Sequence, residues 1–242
     1  MKRVLLFLYG VAVYALFLLV FLYACGFVGD FLVPKSIDSE PQVPRTEAIL
    51  VDVLLLGIFA LQHSVMARQG FKRWLTSFVP AAIERSTYVL FSSLALILLF
   101  VEWEPIGGVV WDVQGAAPRI ALYSLFSFGW LLVLATTFWI NHFDLFGLRQ
   151  VWLNLINYDY EQLPFVTPGP YRLVRHPLYV GWLFAFWFTP HMTVAHLIFA
   201  LLTTGYILIA IRLEERDLLH FHGDSYARYQ HRVPMLVPRL PK

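Results

Sequence analysis

The chain has 242 residues, of which 59% are apolar and only 14% charged. A soluble domain carries about 45–50% apolar and about 25% charged residues, so an ordinary soluble globule and a disordered chain are both excluded. Eighteen basic against sixteen acidic residues give a net charge of +2, too balanced for a nucleic-acid binder, and the lone Cys25 allows neither an intrachain disulfide nor a paired-cysteine metal or redox site.

What remains is a polytopic membrane protein with short loops. Lys2 and Arg3 precede residues 4–28, which carry no charge. A spanning helix needs about 20 mostly apolar residues, so this run reads as the first span. A basic start followed by Leu22-Tyr23-Ala24-Cys25 also has the outline of a lipoprotein signal. The apolar run exceeds the roughly 7–15 residues of a signal-peptide core, which favours the span. The loop at 34–44 holds three prolines and reads as a short surface excursion. Residues 48–67 form the second span, with Asp52 and His63 its only ionisable groups. Asp52 lies near the outer face and reads as interfacial and structural. Residues 86–101 and 120–140 give the third and fourth spans.

Residues 178–211 carry no charge over 34 positions. The positive-inside rule decides how they run. With a cytoplasmic N-terminus, fifteen basic residues fall inside and three outside, Lys35, Arg45 and Arg119. The loop 141–177 and the tail from Arg212 are then both cytoplasmic, so 178–211 must cross twice. Thr189-Pro190-His191 is the natural break, because proline disrupts a helix interior. The first arm is about 13 residues, roughly 20 Å at 1.5 Å per residue. The expected fold is all-α: a polytopic transmembrane helical bundle of five to six segments, the last two a short helical hairpin, with a cytoplasmic C-terminal catalytic segment. The expected division is 1–140 for the N-terminal helices and 141–242 for the catalytic region.

Phosphate-binding glycine loops and βαβ units are absent, which argues against a dinucleotide domain. The histidines are scattered, with no HExxH, so no metal is expected. Two stretches carry chemistry. The first is TPGPYRLVRHPLYVGW, 167–182. Proline suits the first turn of a helix, which sets His176 near an N-cap, where an anion could bind. From spacing alone, Arg175 and His176 read more readily as basic anchors at a membrane edge. The second stretch is RLEERDLLHFHGDSYARYQHRVPMLVP, 212–238. Glu214 and Glu215 follow the last span directly. They point about 100° apart on a helix, so different jobs are expected of them. Asp224 would cap a short helix at 225–232, after Gly223 ends the preceding one. Tyr226, Tyr229 and Val233 then share a face that reads as interfacial.

GPYRLVRHPLYVGW followed by EERDLL and GDSYARYQHRVPMLVP resembles the isoprenylcysteine carboxyl methyltransferase superfamily, integral-membrane enzymes that use S-adenosylmethionine (SAM). The motifs cover about residues 168–238. Further segments, LVPKSID at 32–38, QHSVMAR at 62–68, ERSTY at 84–88 and HFDLFGLRQ at 142–150, are similar to the bacterial methanethiol S-methyltransferases, which extends the likeness over nearly the whole chain. His222 departs from the superfamily, which usually has a bulky apolar residue before the glycine.

The resemblance implies a SAM-dependent S-methyltransferase of the bacterial cytoplasmic membrane, converting methanethiol to dimethyl sulfide, with SAM as methyl donor and no metal. Its partners would be a small thiol and the lipid bilayer. It implies a cofactor pocket lined by Tyr171, Arg175, His176, Tyr179 and Gly181, with Glu214 and Glu215 holding the ribose or the amino-acid end. Gly181 would let the cofactor approach the backbone closely. His63 and Gln62, Arg85 and Tyr88, and His142 and Asp144 fall at the same membrane depth as Arg175 and Glu214. For each, interfacial hydrogen bonding is the competing reading. Methylation needs a thiolate, and even a cysteine thiol has a pKa of about 8.5. His142 or Asp144 would therefore accept the proton, with Arg149 or Arg85 stabilising the anion and His63 and Tyr88 facing the substrate. The rival readings are a prenylcysteine carboxylate or phospholipid amine as acceptor, a sterol reductase using a nicotinamide cofactor, and a non-enzymatic accessory protein.

Overall fold

The computed structural model describes residues 1–239. The fold is an all-α polytopic bundle, with five helices long and apolar enough to cross a membrane. They are α1 (Lys2–Gly29), α2 (Arg45–Met66), α4 (Glu84–Glu102), α5 (Ala116–Ile140) and α9 (Val194–His222). The shorter helices are α3 (Gln69–Leu75), α6 (His142–Leu145), α7 (Leu148–Leu155), α8 (Pro177–Trp187) and α10 (Asp224–Arg232). Two short strands, β1 (Val109–Asp112) and β2 (His191–Thr193), pair with each other.

The chain compacts into two units. The first comprises Met1–Gly108, Asn141–Gln162 and Thr193–Ala195. Here α4 packs on both α1 and α2, and α7 lies against α1. The contact between α1 and α7 is close, since a Cβ on Gly10 would stand 2.6 Å from Val151. Phe27, Ile37, Leu99 and Trp103 are fully or almost fully buried. The loop at 34–44 is more than a surface excursion. Ile37 donates its N–H to Phe27 and accepts from the Trp103 indole, so the loop is stitched into the core. Asp52 is structural but not interfacial: it is 0% exposed and accepts the Glu104 N–H at 2.9 Å.

The second unit comprises Val109–Ile140, Leu163–Met192 and His196–Lys242. Its backbone is the pairing of α5 with α8. Gly129 and Gly181 make that crossing possible. A Cβ on Gly129 would meet Ala185 N at 2.5 Å and Gly181 O at 2.7 Å, and one on Gly181 would meet Val133 N at 2.9 Å. Opposed contacts of 129 with 185 and of 133 with 181 make the two helices antiparallel. The helical hairpin breaks where proline predicted it. α8 stops at Trp187, and Pro190 leads into β2 and then α9. Its eleven residues span about 16 Å, too short for the third pair of full crossings that a six-span count implies. The extended residues after it make up distance: Val113 donates to Pro190 and the Trp111 indole to Thr189. The hairpin tip therefore sits at the Ala116 end of α5, and its base at the Ile140 end.

α9 continues without a break to His222, so Glu214 and Glu215 lie on one long helix that ends at Gly223, as expected. Asp224, by contrast, is not a cap. α10 starts at Asp224, with Gly223 at φ 50° as the N-cap and no side-chain capping bond. The positive φ of Gly223 already turns the chain. Gly129→Ala is expected to destabilise the purified protein by about 1–3 kcal/mol through overpacking against backbone. Gly57→Ala, where nothing lies within 4 Å, should be neutral or stabilising by up to about 1 kcal/mol. Thermal unfolding in detergent reads both.

Candidate functional site

Each unit holds a buried polar cluster that gathers residues singled out by the sequence. In the second unit the cluster is built on Arg175-His176-Pro177. Proline at the first helical position leaves His176 as the N-cap of α8, its backbone kept out of the helical region by the following proline. Its N–H and that of Arg175 are thus free to pair outside the helix. They donate to Met235 and Pro234, strapping the C-terminal tail alongside. The Arg175 guanidinium donates from Nε to Glu215 Oε1 at 2.6 Å, and from Nη1 to the Gln230 and Val233 carbonyls. Glu215 accepts further from His176 Nε2 at 3.0 Å and from Gln230 Nε2 at 2.8 Å. Three donors from two segments thus converge on one carboxylate, and the ion pair is 11% and 12% exposed. Arg175 and His176 are tied into a buried network and not left as free basic side chains.

Glu214 faces a different way. Its side chain is 46% exposed, and Oε2 lies 3.8 Å from His176 Nδ1. Tyr179 is its hydrogen-bond partner, and the Tyr171 phenol feels its charge. Burial, with Glu214 adding to it, pushes the Tyr171 phenol up. Burial likewise raises Tyr226, and lifts Tyr229 to about 12. All three phenols are neutral donors at pH 7. Tyr229 donates to the Tyr171 carbonyl at 2.6 Å, while Tyr226 Oη has no hydrogen-bond partner among the described residues. Both tyrosines are buried, 1% and 6% exposed, and not interfacial.

In the first unit the cluster forms around a tight turn after residue 140. Asn141 adopts φ 112° and caps α6 through its side chain. Gly147, at φ 88°, lets the turn close on α4, since any Cβ there would strike Ser86 N at 2.7 Å. His142 is 2% exposed. Its Nε2 lies 2.7 Å from Tyr14 Oη, and Phe146 packs at 4.8 Å. Burial holds its pKa below the ordinary 6.5. Its contribution to stability is therefore intact above about pH 6.5 and is lost as pH falls below it. Asp144 takes hydrogen bonds from Arg149, Gln150 and Tyr160. Arg149 also reaches the Glu161 carbonyl. Arg85 donates from Nε to Leu145 O at 2.8 Å and lies over the Tyr88 ring at 5.3 Å. Tyr88 Oη in turn lies 2.8 Å from His63 Nε2.

The chain is 56% identical over 242 residues to the methanethiol S-methyltransferase of Crocosphaera subtropica, covering 100% of this chain and 95% of the other. It is 54% identical over 238 residues to the enzyme of that name from Mycobacterium tuberculosis, covering 98% of each. Nurim of Sus scrofa is 32% identical over 194 residues, 74% of this chain. No family model and no solved structure matches. The chain belongs to the methanethiol S-methyltransferase family.

Of the residues that the family motifs single out, Tyr171, Arg175, His176, Tyr179, Glu214 and Glu215 do gather in one cluster. Gly181 stands apart from them in role, its bare face being filled by α5. His142, Asp144, Arg149, Arg85, Tyr88 and His63 gather in the other. Sequence reasoning missed Gln230 and Tyr14. A hydroxyl inside an apolar span needs a partner, which was a usable signal for Tyr14. Gln230 carried none. Removing one partner of a buried ion pair costs about 3–5 kcal/mol, so Glu215→Ala should lower the unfolding temperature steeply. Glu214→Ala should change stability by no more than about 0.5 kcal/mol, by the same measurement.

Proposed function

We propose that this protein is a SAM-dependent S-methyltransferase that converts methanethiol to dimethyl sulfide at the cytoplasmic face of a bacterial inner membrane. The observation that carries the reading is similarity over the full chain length to methanethiol S-methyltransferases. The strong excess of basic residues on one side supports cytoplasmic N- and C-termini. The region 141–242 then supplies the cofactor residues.

The donor set around Glu214 fits SAM. An accessible carboxylate suits an ammonium or ribose hydroxyls, and the Tyr171 and Tyr179 phenols add further polar partners. Arg175 is already committed to Glu215, Gln230 and Val233. Its role in this scheme is to hold Glu215 and the tail in place, while Glu214, Tyr171, Tyr179 and His176 bind. When bound, SAM supplies a methyl group on a sulfonium, open to direct displacement by a thiolate.

Thiol activation falls to the other cluster. His142 is a suitable base, because burial keeps it neutral at pH 7. Asp144 is the weaker choice, since Arg149, Gln150 and Tyr160 already occupy it. Arg149 is spoken for in the same way. Arg85 spends only Nε, on Leu145, and among the described residues its remaining donors carry no hydrogen bond. It is the cation to stabilise a thiolate, with Tyr88 and His63 beside it.

Purified protein given SAM and methanethiol should release dimethyl sulfide into the headspace, read by gas chromatography. Glu214→Ala should lower activity at least about tenfold, chiefly by raising the KM for SAM. His142→Ala should lower kcat by roughly 10²-fold at neutral pH. SAM binding without dimethyl sulfide would discard the small thiol and turn attention to lipid or prenyl acceptors. Absence of both would overturn the reading.

A further inference from the structure

α1 is apolar along almost its whole length, yet Tyr14 turns its hydroxyl to His142, 128 positions away, at 2.7 Å. The rings meet edge to face, 90° apart with centroids 5.5 Å apart. Phe17 stacks on Phe146 at 3.9 Å, and Phe146 closes on the imidazole at 4.8 Å. His142 is thus boxed by aromatic rings and 2% exposed. Tyr14 is only half-buried. Of this pair, the phenol is the group that a small molecule can reach. The side chain of a base sealed this way needs an intermediary, and a phenol can donate and accept at the same oxygen.

We propose that Tyr14 relays the substrate proton to His142, a step that rests on the reading of His142 as the thiol base. The phenol O–H donates to Nε2 of the neutral imidazole. As the thiol S–H bond breaks, its proton passes to Tyr14 Oη while the phenol proton passes to Nε2. A thiolate and an imidazolium result, and the phenol ends as it began. No other reactant is required. The titratable neighbours are engaged elsewhere: Tyr9 of α1 with Thr87, Arg85 of α4 with Leu145, and Asp144 with Arg149. The Phe17, Phe143 and Phe146 rings around the pair are apolar, which suits delivery of a thiol dissolved in lipid.

Tyr14→Phe, His142→Gln and the double variant test this, with dimethyl sulfide formation followed from pH 6.5 to 9.5. Tyr14→Phe keeps the ring and removes only the hydroxyl. It should lower kcat at least about tenfold at pH 7, with KM for SAM unchanged. The deficit should narrow as pH rises through the range where a thiol ionises without help, about pH 8.5 and above. The double variant should be no slower than His142→Gln, as expected of groups acting as one unit. A Tyr14→Phe enzyme as fast as wild type, with His142→Gln impaired, would overturn the relay and leave the base assignment standing. A deficit equal at every pH would also overturn it, since a purely structural tie between α1 and the turn behaves that way. Full activity in His142→Gln would remove the base assignment and the relay together.

Discussion

A guanidinium and a carboxylate brought out of water must be fully hydrogen-bonded or the fold does not tolerate them. The Arg175–Glu215 pair meets that condition with groups drawn from three places. His176 comes from the head of α8, the carboxylate from the C-terminal part of α9, and Gln230 and Val233 from the end of α10 and beyond it. Remove any one and a buried charge or its partner is left short of a bond. The pair therefore fixes the register of α9 against α8 and the path of the tail. It also explains why two backbone N–H groups ahead of α8 turn to Pro234 and Met235. The ordinary orphan donors of a helix start here become the seam that closes the second unit.

The first unit solves the same problem without a sealed ion pair at its centre. Its buried His142 is kept neutral and matched to a phenol. The charged pair beside it stays partly exposed. Arg149 and Asp144 pair at 2.9 Å with side chains 26% and 21% exposed. Two backbone devices hold this arrangement. Asn141 reverses the chain after α5, and Gly147 lets the next turn press against Ser86. His142 and Asp144 thereby face different surroundings although one residue separates them.

Much of the architecture was legible because membranes read composition directly. Charge-free runs of about 20 residues announce helices, and Pro190 marked the hairpin break correctly. The RHP and Glu-Glu stretches were grouped in one pocket by their resemblance to the superfamily's motifs, since spacing alone left them as basic anchors and an interfacial helix. What stayed hidden depends on partners distant in sequence. Nothing near Arg175 says that Glu215 and Val233 will occupy it. Gly181 was read as a point of close cofactor approach, whereas its bare face is filled by Gly129 and Val133 of α5. Asp224 looked like a cap because aspartate often is one, but Gly223 alone makes the turn. The β1–β2 ribbon has no periodicity to read, since three and four residues are too few to show one.

Glu214 and Glu215 carry the argument furthest. Adjacent positions on a helix diverge by about 100°, so one turn of α9 can serve stability and chemistry with neighbouring, chemically identical side chains. Glu215 is saturated by Arg175, His176 and Gln230 and is barely exposed. A carboxylate in that state has little capacity left for a ligand. Glu214 has the accessibility that Glu215 lacks, and its neighbours are polar tips that are neutral or shared. His176 links the two, presenting Nε2 to one carboxylate and Nδ1 to the other. Nε2 donates to Glu215, which leaves Nδ1 directed at Glu214. The imidazole is held in place by the structural carboxylate and aimed at the accessible one. Structural rigidity at Glu215 thus becomes orientation at Glu214.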